Sequence, residues 1–176
     1  MSTPGQSSDD TSRDRFLERA TLANFAIHGI AMVIMALVLA KMLPGGGESN
    51  TTLRVTMIAE HPWRFRLGWL PWQLCAAIDL WFAAALFRAR WIPKVPAILS
   101  ILFTLAAVIP DQLAQVLWIT RGVDLARDAV RTGQFDAYLA YESEIFVWTA
   151  SWGAFCYTLS ALGWTACFAK TPVWNR

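Results

Sequence analysis

The sequence predicts an all-α protein, a bundle of four transmembrane helices with short interfacial helices in the first and third connections. Four apolar stretches carry this prediction, at 20–43, 67–87, 95–118 and 145–169. Each is long enough to cross the hydrocarbon core, since about 20 helical residues span ~30 Å. Charged residues make up only 16% of the chain and hydrophobic residues 56%. A typical soluble domain has about 25% charged residues, so the composition also favours a membrane protein.

The segments outside the spans divide the chain into a tail, one membrane domain and a second tail. Residues 1–12 are small and polar, which predicts a disordered tail. Residues 13–170 form the single membrane domain, and residues 171–176 form a C-terminal tail. A cleaved signal peptide ending near Ala40 is the alternative for the first span. The long apolar run and the extended charged region at 13–19 disfavour it.

The connections contain clear helix starts and stops. Residues 44–47, Pro-Gly-Gly-Gly, end the first helix, and Pro62 begins the helix of the second span. Residues 53–60 have the period of a short surface helix between these points. The connection at 88–94 is so short that the second and third spans form an antiparallel hairpin. Pro110 predicts a kink next to Asp111. Between 120 and 144 we expect one interfacial helix that breaks near Gly133 and merges into the fourth span.

Tryptophan and cysteine are assigned mainly structural roles. There are ten Trp residues, and those near proposed helix ends favour an aromatic belt at the membrane surface over a Trp-lined pocket. The belt candidates are Trp63, Trp69, Trp72, Trp91, Trp118, Trp148 and Trp174. The three cysteines, Cys75, Cys156 and Cys167, form no C-x-x-C pair, and thiols in lipid behave as small hydrophobic groups.

Charge patterning predicts the location of the chain. Three basic residues crowd the 88–94 connection, whereas the opposite side of the bundle has most of the acidic residues. The positive-inside rule then puts both termini in the cytoplasm, and we expect an integral protein of a bacterial inner membrane. A net charge of +2 is too balanced to suggest nucleic-acid binding.

Two aspartates within the spans are the main candidates for a site. Asp79 lies about 12 residues, or roughly 18 Å, inside the second span, and Asp111 lies roughly 12 Å inside the third. An ionisable group at such depth costs a few kcal/mol and commonly has a role. The two carboxyl groups are expected within about one helical turn of each other in height. The alternative is a protonated, hydrogen-bonded aspartate that holds the bundle together.

Polar residues at helical spacing extend this candidate site. The predicted ligand-binding residues are Asp79, Asp111, Gln112, Gln115, Gln73 and Trp72, with His28, Glu142 and Glu144 as further candidates. The fourth span has a stripe of small residues that favours close helix packing over a site. No catalytic residue is assigned. The sequence predicts no metal and no cofactor, because it lacks clustered histidines, a Walker loop and G-x-S-x-G.

Two resemblances follow from these segments. The segment HPWRFRLGWLPWQ at 61–73, together with the later VIPDQ at 108–112, resembles small bacterial polytopic membrane proteins of unassigned function. The four-helix architecture, and PAILS at 96–100, resemble the sterol-isomerase and sigma-2-receptor group, which packs four helices around a lipid-facing pocket with intramembrane acids. The motif residues of that group are not all matched, so no catalytic role is carried over.

The expected function is the binding of a hydrophobic or amphipathic ligand in an intramembrane polar pocket. A membrane-embedded acid/base enzyme acting on a lipid or isoprenoid is one alternative, because carboxyls in apolar surroundings suit proton transfer. An accessory subunit of a membrane complex or a proton-coupled transporter is the other. The expected partners are membrane lipid, a hydrophobic small molecule, and a second copy of the chain or a larger membrane complex.

Overall fold

The computed structural model describes residues 4–169, with side chains from residue 12 onward. Within this part the secondary structure is entirely helical. The helices are α1 (Pro4–Ile34), α2 (Thr51–Glu60), α3 (Pro62–Arg88), α4 (Lys94–Leu117), α5 (Val123–Thr132), α6 (Asp136–Phe146) and α7 (Ala154–Phe168). Three π-helical turns, Met35–Leu39, Trp118–Gly122 and Val147–Gly153, extend α1, join α4 to α5 and join α6 to α7.

Four of the described helices are long and apolar enough to cross a membrane. They cover Ser12–Leu39, Pro62–Arg88, Lys94–Thr132 and Asp136–Phe168. Each covers most or all of one of the four apolar stretches of the sequence, so the all-α class and the four long apolar helices are confirmed. The third is 39 residues long, about 58 Å at 1.5 Å per residue, and therefore extends well beyond a ~30 Å apolar layer.

The terminal segments compare differently with their predictions. Helix α1 begins at Pro4, so residues 4–12 are helical where composition indicated a disordered tail. Extending an existing helix adds one hydrogen bond per residue without a new nucleus, and this favours continuation. The predicted C-terminal tail at 171–176 lies outside the described residues.

The two long connections also differ from each other. In the first, α2 forms as a separate short helix, and the Asn50 side chain caps it by accepting a hydrogen bond from the Leu53 N–H at 3.1 Å. In the third, α5 is not a separate helix but continues α4, because Gly122 keeps right-handed helical angles. Gly133 ends α5 in the left-handed conformation at φ 73°, where the sequence predicted the break.

The long helices are arranged in a row rather than a closed ring. Helix α1 packs on α3, α3 on α4, and α4 on α7, whereas α3 and α7 touch only slightly. Helix α2 packs mainly against α5. Two apolar clusters form the core, one beside α2 and α5 around Phe65, Trp69 and Trp118, and one near the α3–α4 turn around Leu86 and Ile92. The mid-height of the bundle lies between these two clusters.

Small residues bring α4 and α7 together. Thr104 and Ser160 share a hydrogen bond of 2.6 Å between their hydroxyl oxygens, and Ser160 Oγ lies 3.3 Å from the Ser100 carbonyl. A Cβ at Gly163 would lie 2.6 Å from Ser100 Oγ. The stripe of small residues in the fourth span therefore packs on α4, in line with the packing interpretation.

The tryptophans divide between core and surface. Trp63 and Trp91 are exposed, as a belt requires, but Trp69 and Trp118 are buried in the cluster beside α2. For those two the belt prediction is wrong, because α2 and α5 cover the ends of the spans on which they lie. Trp174 lies outside the described residues.

Candidate functional site

A central cavity of about 310 Å³ lies between the two apolar clusters. It is lined by one residue of α1, three of α3, one of α4 and three of α7: His28, Trp72, Cys75, Asp79, Asp111, Tyr157, Ala161 and Trp164. Both predicted aspartates therefore face the same space from neighbouring helices. Most of the remaining wall is aromatic or apolar.

Residues of α1 contact the Asp79 side chain. Its carboxyl is 4% exposed, and Asn24 Nδ2 donates a hydrogen bond of 2.6 Å to Oδ1. His28, one helical turn beyond Asn24, has its Nε2 atom 3.7 Å from Asp79 Oδ2. The contact between α1 and α3 is therefore polar at mid-height, where an unpaired carboxyl would be costly.

The hydrogen bonding of His28 determines which ring nitrogen faces the carboxyl. His28 Nδ1 lies 2.9 Å from the Asn24 carbonyl oxygen, and because a carbonyl only accepts, Nδ1 has the hydrogen. A neutral ring then presents the Nε2 lone pair to Asp79. At 3.7 Å the two atoms are beyond direct hydrogen-bond distance.

Asp111 has different surroundings. Three donors converge on its Oδ2 atom: Gln115 Nε2 at 2.9 Å, the Tyr157 hydroxyl at 3.4 Å and Gln112 Nε2 at 3.5 Å. Gly153 lies against the other side of the carboxyl, where a Cβ would be 3.4 Å from Asp111 Cβ. Donors without charge stabilise the ionised carboxyl, while burial opposes it. The two carboxyls thus differ in their partners, one beside an imidazole and one beside neutral donors.

The structure brings together some of the sequence-predicted residues and separates others. Asp79, Asp111, Trp72 and His28 line the cavity, and Gln112 and Gln115 reach it only through Asp111. Gln73 and Glu144 are not among the described residues that line it. This division follows from helix faces: Gln73 is next to Trp72 in sequence and so points about 100° away.

Glu142 is a further candidate from the sequence, but it is not among the described residues that line the central cavity. It is 5% exposed and pairs with the equally buried Arg54 of α2 through two side-chain bonds, one of them 2.6 Å from Nη2 to Oε2. The Tyr138 hydroxyl donates to the same carboxylate at 2.9 Å. Burial by itself lowers the pKa of Arg54, but the hydrogen bonds and charge of Glu142 outweigh it and raise that pKa overall. The carboxylate is fully occupied in attaching α2 to α6.

Sequence reasoning missed two of the polar residues that hydrogen-bond to the aspartates, Asn24 and Tyr157. Asn24 stands four residues before His28 in an apolar span, and this i,i+4 polar pair was a usable signal. Tyr157 had no such signal, because it lies among small residues that indicate packing. Arg54 was equally hidden, since its partner is far away in the sequence.

Comparison with known proteins adds no assignment. No protein-family model matches the chain, and no match was found among curated proteins or among solved structures. The resemblances drawn from 61–73 and 96–112 therefore stay predictions. Among the described residues, no group of three or more His, Cys, Asp or Glu side chains is placed to hold a metal ion.

Proposed function

We propose that this chain is an integral membrane protein that binds a hydrophobic or amphipathic ligand in the central cavity. The observation that carries the proposal is that Asp79 and Asp111, from neighbouring helices, line one cavity with largely aromatic and apolar walls. A concave apolar space with a few convergent polar groups is the usual form of a small-molecule site.

The outer surface supports the membrane location. Large apolar side chains are exposed along the spans, among them Phe25 at 82%, Val95 at 70% and Ile109 at 65%. A soluble monomer rarely exposes so continuous an apolar surface. In this proposal α2 and α5 lie at one membrane surface, and both termini lie on the cytoplasmic side of a bacterial inner membrane, as the charge pattern predicts.

The row of helices offers a route from lipid into the cavity. Helices α1 and α7 both line the cavity but, within the described residues, pack on different neighbours. The gap between them is where an apolar molecule would enter. Trp72 and Trp164 line the cavity, and their indole N–H groups are buried without a hydrogen-bond partner among the described residues.

The test is to fill the cavity without touching its polar groups. Ala161→Phe places a ring in the lining, whereas Leu162→Phe changes the neighbouring residue, which is 61% exposed and does not line the cavity. Mass spectrometry of small molecules that copurify in mild detergent measures occupancy. We expect Ala161→Phe to lose at least tenfold of the bound species and Leu162→Phe to retain it. Equal occupancy in the two variants would refute a ligand in this cavity.

The His28–Asp79 pair favours a second candidate, an acid/base enzyme acting on a lipid or isoprenoid. An imidazole that faces one carboxyl, beside a second carboxyl, is suited to moving a proton along a hydrocarbon skeleton. Asp79→Asn and Asp111→Asn separate the two functions when the copurifying molecule is supplied in excess. Unchanged conversion in both variants would exclude Asp79 and Asp111 as the acid and base, and lost conversion with retained binding would favour the enzyme.

A further inference from the structure

A second cavity, here called the basic cavity, lies where α1 ends and α3 begins. Its volume is about 460 Å³, and it is separate from the central cavity because the two share no lining residue. The π-helical turn of α1, the loop after it, and the ends of α2 and α3 enclose it. The lining residues are Ala36, Leu37, Val38, Ala40, Lys41, Met42, Gly47, Met57, His61 and Arg64.

The polar part of this lining is basic. Lys41, His61 and Arg64 come from three different elements and converge on the cavity, and no acidic residue is among its described lining residues. Arg64 Nη2 lies 3.5 Å from the Leu37 carbonyl oxygen, so the guanidinium is oriented toward the end of α1, and among the described residues this is its one hydrogen bond. The nearby Glu48 is turned to the Asn50 N–H at 2.7 Å. Two permanent cations and an imidazole in one hollow attract an anion.

The apolar part of the lining continues down the outer face of α1. Leu37 is 71% exposed, and Val33, one turn earlier, is 54% exposed. Val33 also lines a third hollow, about 350 Å³, whose other lining residues are Phe25, Ala26, Gly29, Ile30 and Ile34. From Val33 to Leu39, where the helix ends two residues before Lys41, the helix rises about 9 Å. An apolar track therefore leads directly to the basic residues.

We propose that the basic cavity binds the phosphate of an anionic phospholipid whose acyl chain lies along the outer face of α1. The junction of a basic hollow and an apolar track matches a headgroup joined to a chain, and each cation near a membrane surface adds about fivefold to the affinity for anionic lipid. The proposal shares only the membrane location with the proposed function, and its variants leave the central cavity untouched.

The test uses delipidated full-length protein in mild detergent and native mass spectrometry. The probes are phosphatidylglycerol, phosphatidylcholine and inorganic phosphate. Lys41→Gln with Arg64→Gln removes both permanent cations of the basic cavity. Arg15→Gln with Arg19→Gln removes two exposed cations from the opposite end of α1 and is the charge-matched control. We expect about 30-fold weaker phosphatidylglycerol binding in the first double variant, and no more than a twofold change in the control.

A third variant tests the acyl track. A Cβ at Gly29 meets no other atom within 4 Å, so Gly29→Leu fills the hollow without strain. We expect weaker phosphatidylglycerol binding from this variant, although all basic residues remain. Equal losses in both double variants would overturn the headgroup site. Inorganic phosphate binding as tightly as phosphatidylglycerol, or wild-type lipid affinity in Gly29→Leu, would overturn the lipid assignment.

Discussion

Replacing Glu142 by Gln tests the buried pair that attaches α2 to α6. Arg54 and Glu142 are each 5% exposed, and the carboxylate also accepts from Tyr138. Glu142→Gln keeps the shape but leaves the guanidinium charge without its counter-ion. Removing one partner of a buried pair costs about 3–5 kcal/mol. At about 2–4 °C per kcal/mol for a chain of this size, the midpoint of thermal unfolding should fall by roughly 6–20 °C.

The assay is thermal unfolding in mild detergent, and the chain supplies a matched control. Arg131 and Asp128 pair at 2.9 Å, but their side chains are 75% and 62% exposed. Because water screens such a pair, Asp128→Asn should cost about 0–1 kcal/mol. Arg54→Met combined with Glu142→Gln removes the unpaired charge and should restore part of the lost stability.

The result that would refute the reasoning is equally specific. If Glu142→Gln lowers the midpoint no more than Asp128→Asn, burial does not strengthen this pair. If Arg54→Met and Glu142→Gln have strictly additive effects, the two groups are not coupled in the folded protein. The raised pKa of Arg54 means that its contribution is full below the ordinary guanidinium pKa and is lost only as the pH rises through the raised pKa. The loss of stability in Glu142→Gln should therefore be the same at pH 7 and at pH 9, since Arg54 does not change its charge between them.

Glycines provide two further predictions. Gly163→Ala should lower stability by about 1–3 kcal/mol, because its Cβ would lie 2.6 Å from Ser100 Oγ, and Ser100→Ala in the same chain should relieve most of the loss. Gly133→Ala should cost about 1–2 kcal/mol because Gly133 has φ 73°. Gly29→Ala is the control: this glycine lies in a helix with open space around it, so the change should be neutral or stabilising. Thermal midpoints in detergent measure both, and a destabilised Gly29→Ala or an unaffected Gly133→Ala would contradict the second.

The fold was predictable where a local property decides it. Apolar length determines the four long helices, and Gly133 determines the end of α5 because few other residues adopt its backbone angles. The continuity of α4 with α5 was not predictable in this way. Gly122 is permitted both inside a helix and at its end, and only the packing of α5 on α2 decides between them.

The heights of Asp79 and Asp111 along their helices were predictable, but the groups that their side chains face were not. Counting residues places Asp79 and Asp111 at similar heights, since rise per residue is nearly constant. Which groups they meet depends on how the helices are rotated and ordered. Asn24 and Tyr157 come from α1 and α7, at the two ends of the row, and no spacing rule connects them to α3 and α4. Glu142 was included among the site candidates for the same reason, because the sequence does not reveal Arg54 as its partner.

The π-helical turn at Val147–Gly153 has a consequence for how related chains would align. It separates Glu142, which faces α2, from Tyr157, which faces the cavity, within one continuous helix. Deleting a single residue from this turn would restore the ordinary i→i+4 pattern and rotate one half about 100° against the other. Hydropathy and span length would hardly change, yet Glu142 and Tyr157 would no longer face α2 and the cavity at the same time. A one-residue gap in an alignment at this turn would therefore indicate a changed site, whereas a one-residue gap in a loop would not.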